Sequence, residues 1–128
     1  RLAPLDAGKT MRALAPSIVQ QIVGPKAQPE GVALAVQRME AIPDETFRAA
    51  ILSLADFDQR ANLGSIDIPC LLIVGSEDTN APPPMMEKMA SKISGAHYHC
   101  LPDLGHLAHL ENAIMFNQAL ATFLEGLK

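Results

Sequence analysis

The chain has 128 residues, 48% of them apolar, which is enough to bury the core of one modest domain and too apolar for a disordered segment. A net charge of −4 with no long basic run argues against nucleic acid as the main partner, because phosphate binding needs clustered Lys and Arg. With 4% aromatic residues and no Trp there is little to stack bases on, and no run of 18 apolar residues is present to span a membrane. The sequence opens on Arg1 with no signal-peptide pattern, so it reads as an internal or processed piece, with a cytoplasmic location expected.

In chain order, residues 1–7, with Pro4 and Asp6, are expected to form a loop. From Gly8 to Val23, Met11, Leu14, Ala15, Ile18, Val19 and Ile22 recur at helical spacing. Pro16 lies inside that run. It lacks an N–H and crowds the preceding turn, which predicts two short helices or a kink. Gly24-Pro25 stops the segment. Pro29 suits the first position of a second helix, with Val32, Leu34, Ala35, Val36, Met39 and Ile42 as its apolar positions. Pro43 with Asp44 and Glu45 starts a third, its acids placed where the helix dipole favours them. Phe47, Ala50, Ile51 and Leu54 are its expected buried stripe. Residues 55–69 form a connector, in which Asp56 and Asp58 read as surface acids rather than an acid–base pair across a substrate.

Cys70 to Val74 is a continuous apolar run, the pattern of a parallel strand covered on both faces. Ser76 to Asn80 is a polar turn. Pro82-Pro83-Pro84 then opens a helix whose inner face is Met85, Met86, Met89, Ala90 and Ile93, with the methionines as core filler. Gly95 caps it. A second, more polar strand runs from Ala96 to Leu101 and exits through Pro102 to His106. From Ala113 onward Ile114, Phe116, Leu120, Phe123, Leu124 and Leu127 mark an amphipathic helix. The order strand–helix–strand–helix predicts parallel neighbours joined by a crossover. Cys70 and Cys100 are expected as buried, inert thiols. Neither has metal-ligand spacing, and His99 points away from its neighbour Cys100 on a strand, so neither a zinc site nor a cofactor is expected.

Each strand thus ends in a polar turn with one chemically capable side chain, Asp78 after the first and His106 after the second. A carboxylate that orients an imidazole, and an imidazole that moves a proton, are two members of an Asp–His–nucleophile triad. Asp103 is a weaker candidate orienter. His97, His99 and His109 lack this context and read as strand, surface or pocket-lining residues. Glu111 is expected to cap or pin the start of the last helix.

The residues Ile68-Pro69, Leu71, Ile73, Gly75, Asp78 and Pro82, then Gly105-His106, Glu111, Phe116-Asn117, Leu120 and Phe123-Leu124, resemble the C-terminal part of an α/β-hydrolase. The match covers residues 66–127 and is most similar to the esterase and lactonase branch near 3-oxoadipate enol-lactonase. The resemblance implies an α/β fold with a helical cap over residues 1–65, then a C-terminal core segment over residues 66–128. It implies His106 and Asp78 as catalytic base and acid. Gly105 would let the chain turn tightly before His106.

The family's nucleophile sits on a Gly-x-Ser-x-Gly elbow, and neither that motif nor its Cys or Asp counterpart occurs here. Only two strands can be counted, so the sheet is incomplete and has an open edge. The isolated chain is therefore expected to lack hydrolytic activity. It would pair through that edge with an N-terminal half or with a second copy, and the small-molecule substrate would bind jointly with the missing half. The alternative is a non-catalytic helical module that associates through the same edge. The Asp78–His106 distance separates the two readings.

Overall fold

The computed structural model describes residues 2–127. Four helices come first: α1 (Ala3–Asp6), α2 (Met11–Ile22), α3 (Pro29–Glu40) and α4 (Asp44–Ser53). They are followed by a short 3₁₀ turn, Arg60–Ser65, inside the segment expected to be a plain connector. Then come β1 (Leu71–Gly75), α5 (Pro83–Ala90), β2 (His97–Leu101), the single turn α6 (Ala108–Glu111) and α7 (Ala113–Glu125). The strands pair in parallel, Leu71 opposite His97 through Gly75 opposite Leu101, and they make a two-stranded open sheet among the described residues. No described helix is long and apolar enough to cross a membrane.

Residues 3–6 of the segment expected to be a loop form a helical turn. Pro4 stands in the first turn of α1, where its missing N–H costs nothing, and Asp6 ion-pairs with Arg48 of α4 at 2.7 Å. The segment 11–22 is not broken either, since α2 runs through Pro16. Pro16 and Arg12, the residue whose carbonyl loses its intrahelical partner, both lie on the exposed side. Water can take the freed carbonyl there, while tertiary packing of the opposite face holds the helix together. That face is Met11, Ala15 and Val19, spaced by four and fully buried. Thr10 caps α2 through its hydroxyl, which accepts from Ala13 N, and Asp44 Oδ1 accepts from Met11 N at 2.6 Å, which ties α4 to the start of α2.

The sheet side has its own core. Leu101, Leu104 and Ala108 are buried, with Ile73, Met115, Phe116 and Ala119 packed against them. Leu72, Val74 and Ile93 are also buried. Beyond this the apolar surface is less covered than the sequence suggests. In α4 no residue is buried, and Leu54 is 60% exposed. Phe47 and Ile51 are half-buried because their face looks into an open cleft instead of a packed layer. Met85 of α5 is exposed, as are Ile114, Leu120 and Leu124 of α7 and Leu127 just beyond it. The cysteines depart from expectation in the same way, Cys70 being half-buried and Cys100 exposed, both free. Cys70 just before β1 and Cys100 in β2 belong to a sheet with open edges, so side chains patterned for an interior are left uncovered.

Candidate functional site

Gly75 ends β1, and the chain turns at once. The two loops that leave the strands are then stitched together. Ser76 N donates to Leu101 O at 2.8 Å, Glu77 N to Leu104 O at 2.9 Å, and Asp103 N to Ser76 Oγ at 2.8 Å. This brings Asp78 and His106 side by side: His106 Nδ1 and Asp78 Oδ2 are 2.8 Å apart. The other carboxylate oxygen, Oδ1, accepts from Asn80 N at 2.8 Å and Ala81 N at 2.9 Å, so the carboxylate is held at both ends. The side chain of Asp78 is 6% exposed and that of His106 40%. Burial acts most strongly on the Asp78 carboxyl and pushes its pKa up. The hydrogen bonds from Ala81, His106 and Asn80, with the nearby imidazole charge, outweigh it and hold the pKa below the ordinary value. Asp78 is thus an anion at neutral pH. It fixes the proton on Nδ1 and leaves Nε2 as the proton acceptor.

Glu111 and the close-packed glycines Gly24, Gly75 and Gly105 also hold this pair, by contacts that were not legible from spacing. Glu111 does not cap the last helix; Asn112 does, its Oδ1 accepting from Met115 N at 3.1 Å. Glu111 is fully buried, and with Asp78 it makes up the buried polar and charged residues described. Its Oε2 accepts from Gly24 N and Gly105 N, both at 2.7 Å, and its Oε1 accepts from Leu107 N at 2.9 Å. One carboxylate therefore grips the backbone on both sides of His106 and the chain that leaves α2. The available signal was an acid set in an otherwise apolar stretch just before an N-cap residue.

Gly105 is needed for close approach rather than for a tight turn. A Cβ there would strike Ile22 O and come within 2.6 Å of Gly24 N, while one on Gly75 would strike the carbonyls of Leu104 and Gly105. His106 N completes the clasp by donating to Ile22 O at 2.7 Å.

The remaining candidates fall away from the pair. Asp103 is turned outward at φ 62° and ion-pairs with Lys26 at 2.7 Å, so it does not orient His106. His97 stacks edge-on with Phe123 and His109 with Phe116. Asp58 pairs on the surface with Arg60, whose side-chain hydrogen bond and then backbone hydrogen bond hold the carboxyl far below the usual range, and Asp56 joins no site. Among the described residues no three His, Cys, Asp or Glu side chains are gathered as a metal-ligand set. The His106 side chain lines a cleft of about 590 Å³ between α2, α4 and the loops after the two strands.

No family model matches the chain. A 2-hydroxy-6-oxononadienedioate/2-hydroxy-6-oxononatrienedioate hydrolase of Klebsiella pneumoniae is 36% identical over 69 residues, 54% of this chain and 23% of that protein. A thermophilic esterase from Thermogutta terrifontis superimposes with a TM-score of 0.80 at 28% identity, over 88% of this chain and 43% of its own. The enol-lactonase of Burkholderia xenovorans LB400 does so with a TM-score of 0.81 at 25% identity, over 90% of this chain and 45% of its own. The chain has the fold of part of an α/β-hydrolase and resembles those enzymes in sequence. It spans less than half the length of those two solved structures. Seen as an α/β-hydrolase, its two-stranded sheet is a partial one, and its resemblance to esterases and an enol-lactonase matches the branch that the motifs implied.

Proposed function

We propose that Asp78 and His106 are the acid and base of a nucleophile–His–Asp triad in a hydrolase of ester, lactone or related bonds, and that the nucleophile lies outside this sequence. The observation that carries the reading is the 2.8 Å contact between His106 Nδ1 and Asp78 Oδ2, with the imidazole exposed at a cleft. In this reading His106 Nε2 takes the proton from the nucleophile as it attacks the carbonyl and returns it to the leaving group. Asp78 keeps the imidazole in the useful tautomer and stabilises it while it is charged. Glu111 and the three clasped glycines hold the histidine's backbone in place.

Residues 1–65 act as a helical cap over the site and residues 66–128 as the core segment that carries acid and base. The unpaired edge of β1 is where the nucleophile-bearing part of the sheet adds, since an open apolar edge strand is a template for pairing. The names of the solved relatives, an esterase and an enol-lactonase, favour acyl chemistry on a small molecule. The test is hydrolysis of p-nitrophenyl esters. The 128-residue chain alone is expected to give no turnover above background. The same chain assembled with its nucleophile-bearing segment is expected to turn over the esters and to lose that activity in His106→Ala. Turnover by the isolated chain that His106→Ala abolishes would mean that the site is already complete, and turnover by the assembled protein that survives His106→Ala would remove the base from the mechanism.

A further inference from the structure

The cleft beside His106 has a consistent chemistry. Its wall is Leu14, Ile18, Met39, Phe47, Ile51 and Leu107, all of them half-buried. The polar side chains interleaved with them, such as Ser17, Gln21 and Thr79, are neutral, and no Lys, Arg, Asp or Glu side chain is among the described lining residues. At about 590 Å³ it is of the size that takes a small organic molecule. Thr79, Asn80 and His106 lie on the loops after the two strands, and most of the apolar groups come from the helices. A carbonyl placed at His106 would therefore have its substituent directed among aliphatic and aromatic side chains.

From this we propose that the cleft takes the uncharged aliphatic or aromatic part of a neutral carbonyl compound. The inference rests on the hydrolase reading only for naming that compound a substrate. It separates this chain from the Klebsiella hydrolase, whose name specifies a dioate, a dianionic compound. A carboxylate on the ligand's far end would lose its hydration with no cation on these walls to replace it, and that is costly for an ion. Each methylene that enters the wall should instead raise affinity about fourfold, from the area it withdraws from water.

The test measures binding to the 128-residue chain and needs no turnover. Unreactive methyl ketones serve as probes: 2-pentanone, 2-heptanone, 2-nonanone, and the anionic 7-oxooctanoate. Affinities are read by NMR from the His106 imidazole and the methyl groups of Ile18, Met39 and Ile51. The expected result is an increase of about fourfold per methylene along the neutral series. The anion should bind more than about tenfold more weakly than the neutral ketone nearest it in length. Thr79→Lys, at the exposed rim, and Met39→Lys, in the wall, should each narrow or reverse that preference, and dispersed amide spectra would show that each variant is folded. Equal or tighter binding of 7-oxooctanoate to the unsubstituted chain overturns the inference. So does a neutral series whose shifts fall outside the cleft. Failure of the hydrolase reading would show separately, as absence of His106-dependent ester turnover, and would leave these affinities unchanged.

Discussion

The substitution Glu111→Gln isolates the clasp that holds His106. Glu111 is fully buried and accepts three backbone N–H bonds, two at 2.7 Å and one at 2.9 Å. Glutamine has the same shape but only one acceptor oxygen. If that oxygen takes the place of Oε2, the bonds from Gly24 and Gly105 survive in neutral form, and the amide NH₂ is turned against Leu107 N. One buried donor is left unpaired, at a cost of about 1–3 kcal/mol, and two charge-assisted bonds weaken, each by somewhat less. The sum is about 3 kcal/mol, which for a chain of this length lowers the melting temperature by about 10 °C. Thermal unfolding followed by circular dichroism measures it, with Glu125→Gln, an exposed residue at the end of α7, as the control that should move by less than about 2 °C. A Glu111→Gln shift no larger than the control's would refute the reasoning, because it would mean that the three bonds contribute nothing net.

Other outcomes follow from the same geometry. The Asp78 carboxyl is held below its ordinary pKa of 3.8, so the stability it contributes is present above that value and lost as pH falls through the lower folded value. Urea titrations should therefore show Asp78→Asn clearly destabilised at pH 6 and progressively closer to the parent chain as pH falls below 3.8. Gly105→Ala should cost more than about 2 kcal/mol, since the new methyl would collide with the backbone of residues 22–24, whereas Gly64→Ala, whose Cβ would find its nearest neighbour at 3.8 Å, should be near neutral. Asn112→Ala should cost about 1 kcal/mol through loss of the α7 cap, again read from denaturant unfolding.

The parts of the molecule that were legible in the sequence are those governed by local rules. The run Cys70–Val74, within one residue of β1 at each end, the Pro-led starts of α3 and α5, and the two turns with Asp78 and His106 could be read from periodicity and punctuation alone. Their contact needed only that the strands be parallel neighbours, which puts both C-terminal turns on one edge. Long-range relations were not legible. Pro16 inside α2 is tolerated because burial of Met11, Ala15 and Val19 on the opposite face outweighs one lost hydrogen bond. Glu111 meets Gly24 across 87 positions of sequence, a separation at which no spacing rule operates. Apolar periodicity also overstated burial in α4 and α7, since it shows which face seeks cover but not whether a cover is present.

The central claim is that His106 is poised as a base by Asp78. Nitrogen-15 NMR of the neutral His106 side chain tests it most directly. Donation from Nδ1 to Asp78 Oδ2 at 2.8 Å predicts the Nδ1-protonated tautomer with Nε2 unprotonated, and Asp78→Asn should remove that preference. A neutral His106 protonated on Nε2 in the unsubstituted chain would contradict the account, because the nitrogen required to accept the nucleophile's proton would already hold one.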